Sequence, residues 1–428
     1  MIKEKEYRQR RDLLARKLSK NTMAVVFSAT HKVRSNDTEF PFRQNSNFYY
    51  LTGFIEDNAI LVLVKNKTKY KSILFVHKKD KIQELWNGKR LGTTQAKKHF
   101  LVDEVYTSDE FESIFNTHAS LYSKLYFDFK TDSPFVDPLK RDFKKFSQYE
   151  NLAPFVESMR LIKSSAEIDL IKKALQITKD AHHSLMKQNK NDKYEYELQA
   201  DIEHTFKKNS AFSDAYTSIV AGGNNANTLH YINNNQKLKS QELILIDAGC
   251  EYQYYASDIT RTIPVNGRFS SEQKEVYDLV LNTQLEVLKA IKIGVKRSKL
   301  QKIAINHITK GLVELGVLHG DVKKLIKKEK YKPYYPHGIG HWMGIDVHDE
   351  CPYLDKKSKE LVLKKGMVLT IEPGIYLDKE DKKVPEKYRG IAIRIEDDIL
   401  ITDKGYENLS IEIVKTTQAI ESLNLKEI

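Results

Sequence analysis

The fold of this 428-residue chain is decided by the stretch LILIDAG at residues 243–249. Its apolar run predicts a buried strand, and the aspartate at the end of that strand is followed by a small residue and a glycine. The same pattern returns as VLTIEPG at residues 368–374, where the acid is glutamate. The repetition predicts two structural halves, each built on a strand that ends in an acid.

A second acid-bearing strand follows each copy. The stretch YYASDITRT contains Asp258, and IAIRIEDDILIT contains Glu396. Helices are predicted before both copies, one opened by a capping box at residues 164–167 and another by a capping box at residues 298–301. Gly316 is expected to stop the second of these helices. Pairs of helices followed by strand hairpins, twice, predict two halves related by a pseudo-two-fold axis.

The first part of the chain has a different pattern. The β-rich runs MAVVFSA, NAILVLVK, YKSILFVH and KLYFDF alternate with polar and potentially helical segments between residues 22 and 129. We therefore predict an N-terminal mixed α/β domain at residues 1–160 and a second domain at residues 161–428.

Composition and charge narrow the class of protein. The net charge of +12 is spread over short lysine-rich stretches such as KKLIKKEK, without a nucleic-acid-binding motif, so we predict solvated lysine faces and no nucleic-acid partner. No apolar run approaches the roughly 18 residues that span a bilayer, which predicts no membrane partner. The N-terminal twenty residues lack an apolar core and contain acids, which argues against a signal peptide. Cys250 and Cys351 fit free thiols in a reducing cytoplasm.

The acids of the two hairpins are the candidate chemical groups. Asp247 and Asp258 are predicted on neighbouring antiparallel strands, with carboxylates that point into the same space. Such a pair repels and raises a pKa unless a cation lies between its members. Glu372 and Glu396 repeat this logic in the second half. Period-two alternation places Arg394 on the face of Glu396, where it either holds acids, orients a substrate or forms a structural salt bridge.

A histidine-rich segment, PHGIGHWMGIDVH, spans residues 336–348. His337 and His341 are four apart, but the glycines and the missing general-base glutamate argue against a zinc-binding helix, so we predict a loop or irregular strand. The predicted metal ligands are Asp247, Asp258, His341, Glu372 and Glu396. This oxygen-rich set favours two divalent ions, with Mn²⁺ ahead of Co²⁺ or Zn²⁺. Two ions about 3.5–4 Å apart would activate a bridging water and polarise a carbonyl, which predicts hydrolysis.

Several stretches also resemble a known family. GCEYQYYASDITRTIPVNG, HGIGHWMGIDVHD, LTIEPGIY and YRGIAIRIEDD resemble the motifs of proline-specific metallopeptidases of the pita-bread fold, most of all the aminopeptidase P (Xaa-Pro aminopeptidase) family. EFPFRQNSNFYYLTGF, at residues 39–54, resembles its N-terminal domain. The resemblance implies an α/β (α+β) chain in which a creatinase-like mixed α/β domain precedes a pita-bread catalytic domain with pseudo-two-fold symmetry.

The resemblance also implies an activity and partners. The expected reaction is hydrolysis of the N-terminal Xaa-Pro bond of peptides by a metal-activated hydroxide. The expected substrates are peptides with proline in second position, and the expected assembly is a homodimer or homotetramer.

Roles for individual residues follow from the same resemblance. Asp247 and Asp258 would hold one ion, Asp258 and His341 the second, and Glu396 would bridge the two. Glu372 would also exchange protons with the attacking water. The residues expected to act on the substrate, as catalytic or binding groups, are His230, His337, His348, Tyr376 and Arg394. Trp86 resembles a tryptophan that reaches the active site of a neighbouring subunit, although an ordinary surface or core aromatic is the alternative.

Three other readings remain open from the sequence. Prolidase has the same fold and metals but is restricted to Xaa-Pro dipeptides. A non-catalytic pita-bread module that binds proteins would have lost ligands, whereas this chain has all five. Methionine aminopeptidases share the ligands but usually lack so large an N-terminal domain.

Overall fold

A computed structural model describes residues 2–131, 133, 135, 136 and 146–424 of the chain. The described chain forms two compact units, the first ending at Arg160 and the second beginning at Leu161. Each unit has a hydrophobic core of its own.

The first unit is a mixed α/β unit, as predicted. Its strands are β1 (Thr22–Phe27), β2 (Val33–Ser35), β3 (Thr38–Glu39), β4 (Ile60–Lys65), β5 (Tyr70–Val76), β6 (Glu104–Thr107), β7 (Lys124–Phe127) and β8 (Gln148–Asn151). Its helices are α1 (Glu4–Lys17), α2 (Ser46–Thr52), α3 (Lys81–Asn87), α4 (Gly92–His99), α5 (Phe111–Ala119) and α6 (Ala153–Arg160), with a 3₁₀ turn at Ser108–Glu110. Six strands form one sheet in the order β6-β5-β4-β1-β7-β8. The central strands β1 and β4 are almost wholly apolar because a central strand is buried on both faces.

The second unit contains the repeated motif. Its helices are α7 (Ser165–Lys187), α8 (Glu195–Lys208), α9 (Ser271–Lys289), α10 (Arg297–Glu314), α11 (Val322–Lys327) and α12 (Thr417–Asn424), with 3₁₀ turns at Gly223–Asn227 and Glu386–Tyr388. Its strands are β9 (Ser213–Asp214), β10 (Ile219–Gly222), β11 (Leu243–Asp247), β12 (Cys250–Tyr252), β13 (Tyr255–Ala256), β14 (Thr260–Pro264), β15 (Val368–Ile371), β16 (Gly374–Tyr376), β17 (Ala392–Arg394), β18 (Asp397–Thr402) and β19 (Gly405–Asn408).

The two halves of this unit confirm the predicted pita-bread architecture. In the first half, α7 and α8 precede the sheet β10-β11-β14, and in the second half, α9 and α10 precede the sheet β15-β18-β19 and the pair β16-β17. Strand β11 is antiparallel to β14, with Asp247 opposite Thr260. Strand β15 is likewise antiparallel to β18, with Ile371 opposite Asp397. The stretches 243–249 and 368–374 therefore form equivalent strands whose ends carry the acids.

One of the two predicted capping boxes is confirmed. Ser164 Oγ accepts a hydrogen bond from the Glu167 backbone at 3.2 Å, and the Glu167 carboxylate accepts one from the Ser164 backbone at 2.8 Å, at the start of α7. The box predicted at residues 298–301 is wrong. Helix α10 already begins at Arg297, and Ser298 donates its backbone and hydroxyl hydrogens to Glu360 instead. The predicted stop at Gly316 agrees with its φ of 72°, just after α10 ends.

Two further expectations concern the surroundings of the protein. Among the helices of the described residues, none is both long and apolar enough to cross a membrane. Cys250 and Cys351 are buried free thiols.

Candidate active site

A cavity of about 300 Å³ in the second unit collects residues from both halves of the repeat. The residues that line it are Tyr216, Thr217, Ile219, Leu229, His230, Ile232, Asp247, Asp258, His337, His341, Val347, His348, Glu372, Arg394 and Glu396. All five residues that the sequence predicted as metal ligands are in this set.

The acids reach the cavity from the ends of strands. Asp247 is the last residue of β11, and Asp258 lies in the connection between β13 and β14. Glu372 follows β15 directly, and Glu396 lies between β17 and β18. Carboxylates at the ends of adjacent antiparallel strands are close in space, so each hairpin contributes two acids to one cavity.

Three side chains in this cavity lie close enough together to share one metal ion. Atoms of Asp258, His341 and Glu396 all lie within 4.8 Å of one another, with His341 Nε2 at 3.2 Å from Asp258 Oδ2. Burial lowers the pKa of His341, but the hydrogen bond to Asp258 and the negative charges of Asp258 and Glu372 together outweigh it and raise the pKa to about 9. Burial, together with the charge of Asp258, raises the pKa of Glu396 well above its usual value. Buried carboxylate oxygens with one imidazole nitrogen fit a hard or intermediate divalent cation. Such a cation would take the place of the protons that the raised pKa values imply, and it would cancel the repulsion between the carboxylates.

The three consecutive acids Glu396, Asp397 and Asp398 have different partners. Glu396 faces the cavity, whereas Asp397 forms an ion pair with Arg261 at 2.7 Å. The carboxylate of Asp398 accepts a hydrogen bond from the backbone N–H of Asp258 at 3.1 Å, and burial raises its pKa. The side chain of Asp398 therefore supports the loop of Asp258 from behind.

Asp247 is held by two hydrogen-bond donors. Its Oδ1 accepts from the Tyr216 hydroxyl at 2.7 Å, and its Oδ2 accepts from Arg394 Nη2 at 2.6 Å. Burial raises the pKa of Asp247, and the positive charge of Arg394 acts in the opposite direction. Arg394 also donates to the Tyr376 hydroxyl at 2.9 Å and to Thr260 Oγ1 at 3.1 Å. Of the roles left open for Arg394, the structure shows an ion pair with an acid of the cavity.

Glu372 is held less tightly. The shortest hydrogen bond described for its carboxylate comes from Thr370 Oγ1 at 3.3 Å, and nitrogens of His337 and His341 lie at 3.7 Å. Burial raises the pKa of Glu372 to about 7, against the lowering effect of His341. A carboxyl group with this pKa can take up or release a proton at neutral pH.

The segment at residues 336–348 is irregular, as predicted, and runs beside β15. Thr370 N donates to His341 O, and Glu372 N donates to Ile339 O, both at 2.9 Å. A Cβ atom on Gly340 would lie 1.9 Å from the Thr370 carbonyl oxygen, so only glycine allows this approach. The pairing with β15 brings His341 beside Glu372.

The other histidines surround the acids. His337 Nε2 lies 2.8 Å from the Tyr376 hydroxyl and its Nδ1 lies 2.8 Å from the Gly338 carbonyl oxygen. Burial lowers the pKa of His337 to about 4, so its ring is neutral, donates from Nδ1 and accepts from Tyr376. The ring centroids of His348 and His341 are 4.1 Å apart, and burial lowers the pKa of His348. His230 lines the cavity from an exposed position.

Not every predicted site residue lines the cavity. Tyr376 lies behind it, where it connects Arg394 to His337. Trp86 belongs to α3 of the first unit, and its side chain is 80% exposed.

Sequence reasoning missed Tyr216 and the apolar lining residues Ile219, Leu229, Ile232 and Val347. The signal for Tyr216 is indirect: strand β10 begins three residues later, with Ile219 opposite Asp247.

The duplicated helix-and-hairpin halves, with three buried carboxylates, one partly buried carboxylate and a histidine around one cavity, define a metallopeptidase of the pita-bread class. The chain belongs to metallopeptidase family M24, whose sequence pattern matches residues 169–403, and the aminopeptidase P N-terminal domain matches residues 7–126.

Known proteins of this kind match over nearly the full chain. Xaa-Pro aminopeptidase of Haemophilus influenzae is 41% identical, over 99% of this chain and 97% of its own. The solved structure of proline aminopeptidase P II from Yersinia pestis is similar with a TM-score of 0.95 and 38% identity, covering 99% of both chains. A zinc-substituted Escherichia coli aminopeptidase P in complex with product has a TM-score of 0.96 and 37% identity, covering 99% of this chain and 98% of that one.

Proposed function

We propose that this protein is an Xaa-Pro aminopeptidase, a metal-dependent exopeptidase that removes the first residue of peptides whose second residue is proline. The observation that carries the proposal is the convergence of four carboxylates, three of them buried, and His341 on one cavity at the strand ends of both halves. Full-length similarity to Xaa-Pro aminopeptidases supports this activity over that of a prolidase.

The proposed cofactor is a pair of divalent ions, Mn²⁺ in the first place and Co²⁺ or Zn²⁺ as alternatives. The residues that would hold them are Asp247, Asp258, His341, Glu372 and Glu396. The donor set supports this, because four acids around one cavity, three of them buried, need more positive charge than Arg394 and one histidine provide. When bound, the ions supply a lowered pKa for a coordinated water and polarisation of the scissile carbonyl.

The residues of the chain itself provide proton transfer and orientation. Glu372 takes a proton from the attacking water and passes it to the proline nitrogen as that nitrogen leaves. His348, kept neutral by burial, donates a hydrogen bond to the carbonyl oxygen as negative charge develops there. Arg394 acts through Asp247 and Tyr376, fixing one wall of the cavity and the ring of His337.

Substrate recognition follows from the composition of the cavity. The free α-amine of a peptide would lie beside the ions that these carboxylates hold, because an amine nitrogen is a good ligand for divalent ions, and this favours cleavage at the N-terminus. Ile219, Leu229, Ile232 and Val347 offer an apolar surface to the proline ring, and His230 and His337 border it. The nitrogen of proline in a peptide carries no hydrogen, so this site needs no acceptor for an amide N–H at the scissile bond.

The assembly and compartment are further parts of the proposal. The protein acts in the cytoplasm as a homodimer or homotetramer, with the first domain, residues 1–160, shaping access and assembly. The strong exposure of Trp86 supports a contact in which this side chain reaches a neighbouring subunit. Sedimentation of the wild type beside Trp86→Ala tests this: the variant should dissociate toward smaller species.

One experiment tests the activity. Metal-stripped protein is resupplied with Mn²⁺, Co²⁺ or Zn²⁺ and assayed with Arg-Pro-Pro, Gly-Pro and Arg-Ala-Pro. Release of arginine from Arg-Pro-Pro alone among the tripeptides, restored best by Mn²⁺, is the expected result. Cleavage restricted to Gly-Pro would indicate a prolidase, and absence of cleavage with every metal would indicate a non-catalytic module.

A further inference from the structure

A buried ion pair lies beside the candidate site, outside its cavity. Lys163 Nζ is 2.9 Å from Asp349 Oδ2, and each side chain is only 1% exposed. The Cys351 thiol also donates to the same oxygen, at 3.2 Å. A buried ion pair adds little net stability, because desolvation cancels most of the attraction. Its role is therefore better inferred from the residues that it connects than from its contribution to stability.

The pair closes the loop that carries two site histidines. Asp349 directly follows His348 in the chain. Its backbone N–H donates to the carbonyl oxygen of Trp342 at 2.9 Å, and Trp342 is the residue that follows His341. Lys163 lies just before helix α7, and its own N–H donates to the Gly366 carbonyl at 2.8 Å. The ion pair thus fixes the end of the loop at residues 342–349 to the start of a long helix.

Packing around the pair leaves little room for another arrangement. A Cβ atom on Gly344 would lie 2.6 Å from Asp349 Oδ2 and 2.8 Å from Lys163 Cε. The Gly344 carbonyl accepts from Ala256 N at 2.9 Å, two residues before Asp258. The loop is therefore fixed on one side by Lys163 and on the other by the hairpin of the first half.

We propose that Lys163 is a positioning residue, which acts through Asp349 to hold His348 against the cavity beside His341. The inference rests on the proposed function, because His348 contacts the reacting carbonyl only in that mechanism. Displacing a catalytic group by about 1 Å costs on the order of 100-fold in rate, even when the mutation that displaces it lies far from the reacting atoms.

A double-mutant cycle tests this inference with Arg-Pro-Pro as substrate and Mn²⁺ as metal. The double substitution Lys163→Met/Asp349→Asn removes both charges of the ion pair, so neither partner is left buried with an unpaired charge. It is made in the wild-type protein and in the His348→Ala variant. We expect kcat to fall about 100-fold in the wild-type background, with KM changed by less than about threefold, and to fall less than about threefold further in the His348→Ala background. The matched control is Lys172→Met/Glu407→Gln, which removes a half-exposed pair that begins on the same helix, and its kcat should not change.

Equal losses in both backgrounds would overturn the inference, because a purely structural effect does not depend on His348. An unchanged kcat in the wild-type background would overturn it as well. If the double variant does not unfold cooperatively, Cys351→Ala replaces it, and its smaller loss must likewise vanish in the His348→Ala background. Failure of the proposed function is separate from these outcomes, since it would appear as an inactive wild type.

Discussion

The equivalent acids of the two halves, Asp247 and Glu372, have different environments. Asp247 ends β11 and accepts hydrogen bonds from Tyr216 at 2.7 Å and Arg394 at 2.6 Å. Glu372 follows the equivalent strand β15, but its carboxylate accepts a weak hydrogen bond from Thr370 at 3.3 Å. The same strand-end position is thus strongly paired in one half and weakly paired in the other.

Two halves with the same fold can therefore place their equivalent acids in different chemical environments. A carboxylate that accepts two strong hydrogen bonds, one from a guanidinium, is fixed in position and its charge is offset. Burial raises the pKa of both carboxylates, and the charge of Arg394 is the main opposing effect at Asp247. Glu372 is partly buried, its partners are distant, and its pKa is raised to about 7. We infer that the first half orients a ligand set and that the second half moves a proton.

The largest expected effect comes from Asp258→Asn, which disrupts the group that both halves share. Asp258 comes from the first half, and His341 and Glu396 come from the second. The variant should bind no stoichiometric metal and should lose more activity than the roughly 10–100-fold that removal of an outer partner costs. Metal analysis after dialysis and the Arg-Pro-Pro assay measure the two effects.

The control for that prediction is Asp403→Asn, at an exposed acid paired with Lys365. It should keep both metal and activity. Full metal content and activity in Asp258→Asn would show that these three side chains are not the metal centre.

The next largest effect is expected from Glu372→Gln, compared directly with Asp247→Asn. Glutamine preserves the shape of Glu372 but cannot exchange a proton, so kcat at saturating Mn²⁺ should fall by roughly 10²–10⁴-fold. Asp247→Asn should act mainly on metal content, because it removes the partner of Arg394 and Tyr216. Full kinetic profiles against pH separate the two variants, and identical profiles would refute the different roles of the two halves.

The sequence predicted the strands and hairpins of the two halves, but not all of the contacts around them. The repeated apolar strands with terminal acids were enough to predict β11, β15 and their hairpins, because strand burial and turn position are encoded locally. The false capping box at residues 298–301 shows the limit of local patterns. Glu360, 62 residues further along the chain, takes the hydrogen bonds of Ser298 that the local pattern assigned to Gln301.

The site was predictable to the extent that its residues follow strands. The four acids and His341 were found by position, but their partners depend on tertiary pairing. Tyr216 lies in an irregular segment and reaches Asp247 only because β10 pairs with β11. Arg394 was placed beside Glu396 by alternation, yet its guanidinium crosses to Asp247 in the other half. Contacts between halves leave no periodic trace in either half.

A smaller effect is expected from Tyr216→Phe, which weakens the fixation of Asp247 without changing its charge. Loss of one hydrogen bond to a ligand should lower metal affinity about 10-fold, at the mild end of the range for outer partners. Metal titration of the stripped variant measures this, with Tyr406→Phe, a partly exposed tyrosine on β19, as the matched control. Unchanged metal affinity with a reduced kcat would instead place Tyr216 in contact with the substrate.

The smallest effect is a pH dependence that Glu372 should impose on metal binding. Below pH 7 this carboxyl group holds a proton that an incoming ion must displace, so Glu372 should add up to about tenfold per pH unit to the loss of affinity on the acid side. Above pH 7 this contribution ends, and the remaining rise in affinity, up to about pH 9, should come from His341. For the metal-free protein the sign is opposite. The pKa of Glu372 is raised above its unfolded value, so its contribution to stability is complete below about pH 4.5 and is lost as the pH rises through 7.

Heating the stripped and Mn²⁺-loaded proteins at pH 6 and pH 8 checks both signs, with Glu372→Gln removing the Glu372 contribution from each. Asp214, whose pKa burial raises to about 6, lies on β9 and is a useful control. Asp214→Asn should alter the pH dependence of stability without altering that of metal affinity. Equal pH dependence of metal affinity in the wild type and in Glu372→Gln would show that the proton displaced by the metal belongs to a group other than Glu372. Glu372 and Asp247 would then differ only in their hydrogen bonds.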